Sequence, residues 1–219
     1  MNIDFENSGY LVVRNFFSEE TIDILSTYFD LKYRVIQSID SLRREHSSPS
    51  EDVANGLRFS NDYLTESVLL LYGDKMSKVL ELDLIPTYTY ARIYEQGNTL
   101  RPHSDRPSCE ISATCPITIS DNRASTIYIS NFKFDPSIHT SPNWSISEIK
   151  KLGDYTQVDL LPGDALFYKG CERFHWREPL ESDYLVQFFM HTVQTNGQFK
   201  DFVFDKRPYM GFSINNNVF

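Results

Sequence analysis

His103 and Asp105 stand two residues apart in Tyr94-Glu-Gln-Gly-Asn-Thr-Leu-Arg-Pro-His-Ser-Asp105. A second imidazole, His175, follows about 70 residues later in Gly170-Cys-Glu-Arg-Phe-His-Trp-Arg177. Two imidazoles and one carboxylate on one face of a six-coordinate ion leave three positions open, a donor set suited to Fe(II) and O2 chemistry. Residues i and i+2 of a β-strand project to the same side. On a strand, His103 and Asp105 therefore reach one ion, and another strand delivers His175. An H-x-D pair alone recurs by chance. Three neighbours raise its weight: a strand and a Gly-containing turn precede it, Leu161-Pro-Gly-Asp-Ala-Leu-Phe-Tyr168 leads a turn into a strand before His175, and Arg177 shares His175's face by strand parity.

The elements that must position these groups fall into two halves. Residues 9–14 read as a strand. Ser18, with Glu19 and Glu20 behind it, starts a helix whose apolar stripe is Ile22, Leu25, Phe29 and Tyr33. The polar stretch 44–61 reads as a long loop, and 62–80 as a second helix carrying Leu64, Val68, Leu71, Met76 and Leu80. From residue 84 the period becomes two: Tyr88, Tyr90, Arg92 and Tyr94 alternate with Thr89, Ala91 and Ile93. Further strands are expected at 109–119, 125–131, 156–161, 164–168 and 183–193, with a polar functional loop over 132–155. Helices followed by about eight short strands indicate an α+β protein with a sandwich or jelly-roll catalytic part. The chain is read as one domain: supporting elements over 1–83, the core over 84–193 and a C-terminal extension over 194–219.

Composition narrows the chemistry. The net charge is −9 and no Lys/Arg cluster is long enough to track a phosphate backbone, so nucleic acid is not an expected partner. Three cysteines without C-x-x-C spacing argue against a disulfide scaffold or a zinc ribbon. No window approaches 18 apolar residues and the N-terminus is polar and acidic; the expectation is a cytoplasmic protein with no membrane partner. No G-x-S-x-G, P-loop or G-x-G-x-x-G occurs.

The ordered set Tyr94-x-x-Gly97-x-x-x-x-Pro102-His103-x-Asp105, Pro162-Gly-Asp-Ala-Leu-Phe167 and His175 resembles the Fe(II)- and 2-oxoglutarate-dependent dioxygenases, in particular their prolyl-4-hydroxylase-like branch. The resemblance covers roughly residues 84–193, and His175-Trp-Arg177 looks like small phage and bacterial members. It implies a double-stranded β-helix core with supporting N-terminal helices, Fe(II) held by His103, Asp105 and His175, and the cosubstrates 2-oxoglutarate and O2. It also implies Tyr94 as a donor to 2-oxoglutarate, and hydroxylation of a C–H bond in a prolyl, amino-acid or other small substrate. The family commonly grips the far carboxylate with a Lys or Arg about ten residues after the distal His; here positions 184–186 are Tyr-Leu-Val. Arg177 is the expected replacement, since a planar guanidinium suits a bidentate carboxylate, and Arg92 is the second choice.

Other residues carry weaker expectations. Arg106, Glu110 and Trp176 are candidate substrate contacts, each with an ordinary ion-pair or packing role as the alternative. His191 is expected in the core with a hydrogen bond, and His46 and His139 in solvated loops. Two rival readings keep the fold without the chemistry: a jelly-roll protein using another divalent ion, or a non-catalytic binding module.

Overall fold

A computed structural model describes residues 1–47, 56–121, 123–135 and 143–211. Five α-helices are present among them: α1 (Ile3–Ser8), α2 (Glu19–Ser38), α3 (Asp40–His46), α4 (Tyr63–Leu80) and α5 (Ile146–Lys151). The ten strands are β1 (Tyr10–Val13), β2 (Leu57–Ser60), β3 (Leu84–Glu95), β4 (Leu100–His103), β5 (Ile111–Ile119), β6 (Ser125–Ser130), β7 (Tyr155–Leu160), β8 (Ala165–Lys169), β9 (His175–Arg177) and β10 (Tyr184–Gln194). They form a six-stranded sheet, β1-β8-β5-β10-β3-β2, and a four-stranded sheet, β4-β9-β6-β7. This two-sheet α+β arrangement is the double-stranded β-helix.

The helices form where local chemistry starts them. Ser18 caps α2 by accepting from the Thr21 N–H, and Asp62 caps α4 by accepting from Leu64 and Thr65. Both helices bury an apolar stripe against the outer face of the large sheet. Leu25, Phe29 and Ile36 of α2 and Val68, Leu69, Met76 and Leu80 of α4 join Ala91, Ile93, Phe167, Val186, Phe188 and Met190 in one core. Leu71 departs from its expected role: it is 77% exposed, and Leu69 packs inward.

The opposite parity of the same strands faces the small sheet. Leu166 and Tyr168 of β8 pack with Ile127, Ile129, Val158 and Leu160 of β6 and β7, and Tyr94 and Leu185 pack with Leu100 of β4. The strands of the large sheet are thus buried on both faces, and β10 is interior along nearly its whole length.

Structure replaces loop in two places. The expected loop 44–61 begins inside α3 and ends in β2, which pairs with β3; residues 48–55 lie outside the described residues. The expected loop 132–155 contains α5, started by a capping box between Ser145 and Glu148. Residues 136–142, His139 among them, lie outside the description. His46 is half-buried and rests against the Phe59 ring rather than standing in solvent.

After β10 the chain crosses back over β3. Arg207 inserts Nη2 against Glu66 Oε1 at 2.7 Å and against the Thr87 carbonyl at 3.0 Å, with Arg207 and Glu66 both buried. A buried pair that loses one partner leaves an uncompensated charge. Arg207→Ala should therefore lower unfolding stability by about 3–5 kcal/mol in urea titrations, and the apolar double replacement Glu66→Leu/Arg207→Met should restore most of the loss.

Candidate metal centre and its cavity

His103 ends β4 and His175 begins β9, and the two are directly paired across the antiparallel ladder. Paired residues project to the same side, so register alone brings the imidazoles together; their ring centroids are 4.3 Å apart. Between Leu100↔Arg177 and His103↔His175, β4 carries one residue more than β9. This bulge falls at Arg101-Pro102, where a proline without an N–H fits an interrupted ladder.

Asp105 is not on the strand, contrary to the expectation that an i, i+2 strand pair presents both ligands. β4 stops at His103, and Asp105 sits in the following turn, held by its N–H donating to the Gly170 carbonyl at 2.8 Å. The turn still brings Asp105 Oδ1 to 3.7 Å from His103 Nε2 and 3.6 Å from His175 Nε2. The donor atoms of the three side chains all lie within 4.8 Å of one another. Cis ligands on an ion with bonds of about 2.1 Å sit roughly 3 Å apart, so a slight contraction would place all three on one ion.

The partners of these groups prepare them as ligands. His103 Nδ1 faces the Arg101 carbonyl at 2.8 Å and His175 Nδ1 faces the Arg173 carbonyl at 3.2 Å. A carbonyl only accepts, so each Nδ1 carries the proton and each Nε2 keeps its lone pair toward Asp105. Burial, reinforced by neighbouring His103, pushes the His175 pKa down to about 4, which keeps the ring neutral. Burial opposes ionisation of Asp105, but His175, His103, His191 and the Ser112 hydroxyl together hold its carboxyl below the usual range. Two imidazole nitrogens and a carboxylate fit a divalent ion such as Fe(II).

The centre lies in a cavity of about 300 Å³ whose wall includes Arg92, Tyr94, Tyr168 and His191. Tyr168 packs its ring on His175 at 4.7 Å. His191 bonds through Nδ1 to the Ser112 hydroxyl at 2.9 Å and stacks on Tyr88; it has the buried, hydrogen-bonded position expected of it and lines the cavity as well. Tyr168, Ser112 and Arg58 escape the sequence reading. Tyr168 and Ser112 reach the site through inter-strand register, Ser112 pairing with both Tyr168 and His191, which no local signal announces; Arg58 was hidden in a segment read as loop.

Arg177 follows His175 on the same face and is 3% exposed. Its Nη1 donates to the Thr126 carbonyl at 2.5 Å, its Nη2 to Gln187 Oε1 at 3.2 Å, and its guanidinium lies over the Tyr94 ring at 5.3 Å. No carboxylate of the described residues pairs with it, and Nε has no hydrogen-bond partner. Arg177 lines an adjoining cleft of about 150 Å³, while Tyr94, whose ring it overlies, lines the triad cavity.

Three expected substrate contacts are engaged elsewhere. Arg106 forms a two-pronged pair with Asp205 at 2.6 and 2.8 Å. Glu110 accepts from the Gln194 backbone and side chain at 2.8 and 3.0 Å. Trp176 has the parity opposite to His175 and packs against Tyr128, Tyr155 and Phe174 on the outer side of the small sheet. None of the three lines the cavity.

This fold is the one seen in solved structures of non-heme 2-oxoglutarate-dependent enzymes. The sequence matches no family profile and no curated protein. Solved structures do match: HygX of Streptomyces hygroscopicus with nickel and 2-oxoglutarate bound aligns with a TM-score of 0.60 at 12% identity, over 88% of this chain and 85% of that one. A prolyl-4-hydroxylase of Pseudomonas putida aligns with a TM-score of 0.56 at 13% identity, covering 86% and 95%. The non-heme alpha-ketoglutarate-dependent carbocyclase SnoK from nogalamycin biosynthesis aligns at 0.60 and 14%, covering 86% and 81%. No helix among the described residues is long and apolar enough to cross a membrane.

Two predictions concern this centre. A Cβ on Gly170 would lie 2.3 Å from the Cys109 carbonyl and 2.5 Å from Asp105 Oδ2. Gly170→Ala should therefore displace the carboxylate and weaken divalent-metal binding by about tenfold or more, read by calorimetry, the scale of losing a group that orients a ligand. The second is a pH effect. His175 and His191 have folded pKa values near 4, below the unfolded value of about 6.5. Between these limits the unfolded chain binds protons that the native state refuses, so metal-free stability should fall as pH drops from about 6.5 toward 4. His191→Gln should flatten that slope in denaturation curves collected across the range.

Proposed function

We propose that this protein is an Fe(II)- and 2-oxoglutarate-dependent oxygenase that hydroxylates a C–H bond of a small substrate. His103, Asp105 and His175 hold the ion by two imidazole nitrogens and one carboxylate oxygen. Fe(II) and 2-oxoglutarate, when bound, supply the O2-dependent oxidation that releases succinate and CO2. The chain's own residues do the rest. The Nδ1 hydrogen bonds fix both rings, and Ser112 steadies the second oxygen of Asp105.

The observation that carries this reading is the buried charge of Arg177 beside a complete ligand set. A guanidinium that is 3% exposed and satisfied only by neutral acceptors has no counter-ion among the described residues. The far carboxylate of 2-oxoglutarate is the missing anion, with Tyr94 as the ring and hydroxyl beside it. Gln187 of β10, on the strand where relatives commonly carry a cation, instead orients Arg177 and is itself fixed by the Thr114 hydroxyl at 2.7 Å. An intact carboxylate at Asp105 fills the position that halogenases leave open to halide, and this favours hydroxylation.

Aerobic incubation with Fe(II) should convert 2-oxoglutarate to succinate; no conversion at any iron loading would reject the reading in favour of a non-oxidative metal protein. Arg177→Ala should weaken 2-oxoglutarate binding by about 2 kcal/mol or more, about 30-fold, while metal affinity stays near that of the wild type. Asp105→Ala should lose the metal itself. Unchanged 2-oxoglutarate affinity in Arg177→Ala would move the anchor to Arg92.

A further inference from the structure

A second cluster of metal-ligating side chains adjoins the triad. Cys109 ends a short 3₁₀ helix, Pro107–Cys109, which is fastened by the Thr87 hydroxyl donating to the Ser108 carbonyl at 2.6 Å. His191 of β10 stands directly opposite Ser112 of β5. Turn and register together bring donor atoms of Asp105, Cys109 and His191 within 4.8 Å of one another. Cys109 is 2% exposed and His191 5%, so neither is a solvated surface group. The two oxygens of Asp105 serve different sides. Oδ1 lies 3.7 and 3.6 Å from His103 and His175 Nε2, while Oδ2 receives the Ser112 hydroxyl at 3.1 Å. That hydroxyl has only acceptors in Asp105 and the Cys109 carbonyl at 3.2 Å, so its proton goes to one of them and His191 Nδ1, at 2.9 Å, donates to it. The His191 ring then keeps a lone pair on Nε2. The Tyr88 hydroxyl meets Cys109 Sγ at 3.1 Å, and the neighbouring cation, Arg106, is matched by Asp205.

We propose that Asp105, Cys109 and His191 form a second cation site, for a thiophilic divalent ion such as Zn(II), which shares Asp105 with the triad. A thiolate, an imidazole and a carboxylate are donors that Zn(II) takes at bonds of about 2.0–2.3 Å. Ligands on such bonds stand roughly 3–4 Å apart, so a small contraction of the cluster closes it on one ion. A sulfur ligand disfavours Mg(II) and Ca(II), which take oxygen. The Tyr88 hydroxyl is beside the sulfur as a further oxygen donor. Binding transfers the Cys109 thiol proton to solvent, as at any thiolate ligand. The ion enters by the triad cavity, which Tyr88, Asp105 and His191 line. Paired ions in two-metal sites stand about 3.5–4 Å apart, a spacing that one carboxylate spans with its two oxygens. The inference goes beyond the oxygenase reading, which needs one ion only: a thiophilic ion here acts on the triad through a single shared side chain.

The test titrates the full chain, freed of metal and kept anaerobic, with Co(II) and follows absorption. Two ions should bind per chain, and one of them should bring a sulfur-to-cobalt charge-transfer band in the near ultraviolet. Cys109→Ser should abolish that band and reduce uptake to one ion, whose retention shows that the variant is folded. His191→Gln should weaken binding of the sulfur-ligated ion by about tenfold or more. His103→Ala, which removes a ligand of the triad only, should keep the band. Zn(II) should bleach the band at one equivalent, while Mg(II) in excess leaves it. A wild type without the sulfur band overturns the proposal. So does a band that survives Cys109→Ser, which would place the ion on Cys115 or Cys171, the other free cysteines. So does a band indifferent to His191→Gln. Failure of the triad reads differently: a single Co(II) that carries the band and persists in His103→Ala supports this site and counts against the oxygenase reading alone.

Discussion

The pairing of His103 with His175 across two short antiparallel strands is the constraint on which the rest of the site depends. Register, not side-chain reach, sets the separation of the imidazoles. Each ring is then turned by a carbonyl of its own chain two residues earlier, so the same backbone that places a nitrogen also chooses its tautomer. The third member of the cluster comes by a different route. Asp105 leaves the strand and is fastened from across the site by the Gly170 carbonyl, in a turn packed too closely for any side chain at position 170. The two sheets and the helices behind them keep these three short segments in relation.

Much of this is legible in the residues. The period of two in β3, the helix start at Ser18 and the turn at Pro162-Gly163 are local signals, and local interactions realise them. The triad is legible for a related reason: ligand chemistry restricts residue type severely, and an ordered set of three such residues is rare. What the sequence conceals is non-local. Asp105 reads as a strand residue because nothing nearby announces that β4 stops at His103; the cause is a hydrogen bond to a residue 65 positions away. β2 lies in a polar stretch and becomes a strand because the edge of β3 is there to pair with. Arg106 and Glu110 look available beside the H-x-D pair until Asp205 and Gln194 return from the far end of the chain to take them. The capping box before α5 was a local signal that the surrounding polar residues obscured.

Charge is placed inside this fold with an evident division. Glu66 and Arg207 neutralise each other in the core, Asp105 faces the imidazoles, and among the described residues Arg177 has neutral acceptors only. The buried pair is neutral within itself, whereas no carboxylate of the described residues pairs with Arg177. Gln187 fits this division: a second cation there would repel Arg177, whereas an amide can accept from Arg177 and donate to Thr114 at once.

The tail that crosses β3 has a mechanical meaning. Asp205 grips Arg106, the immediate neighbour of the carboxylate ligand, and also receives the Ser108 hydroxyl at 2.5 Å. Three successive residues there, Phe204, Asp205 and Lys206, hold left-handed backbone angles that side chains ordinarily avoid. The segment is anchored at one side by Arg207 on Glu66 and at the other by Asp205 on Arg106. A change that releases the Arg207 anchor therefore reaches, through Asp205 and the Arg106 guanidinium, the peptide next to the turn that carries Asp105.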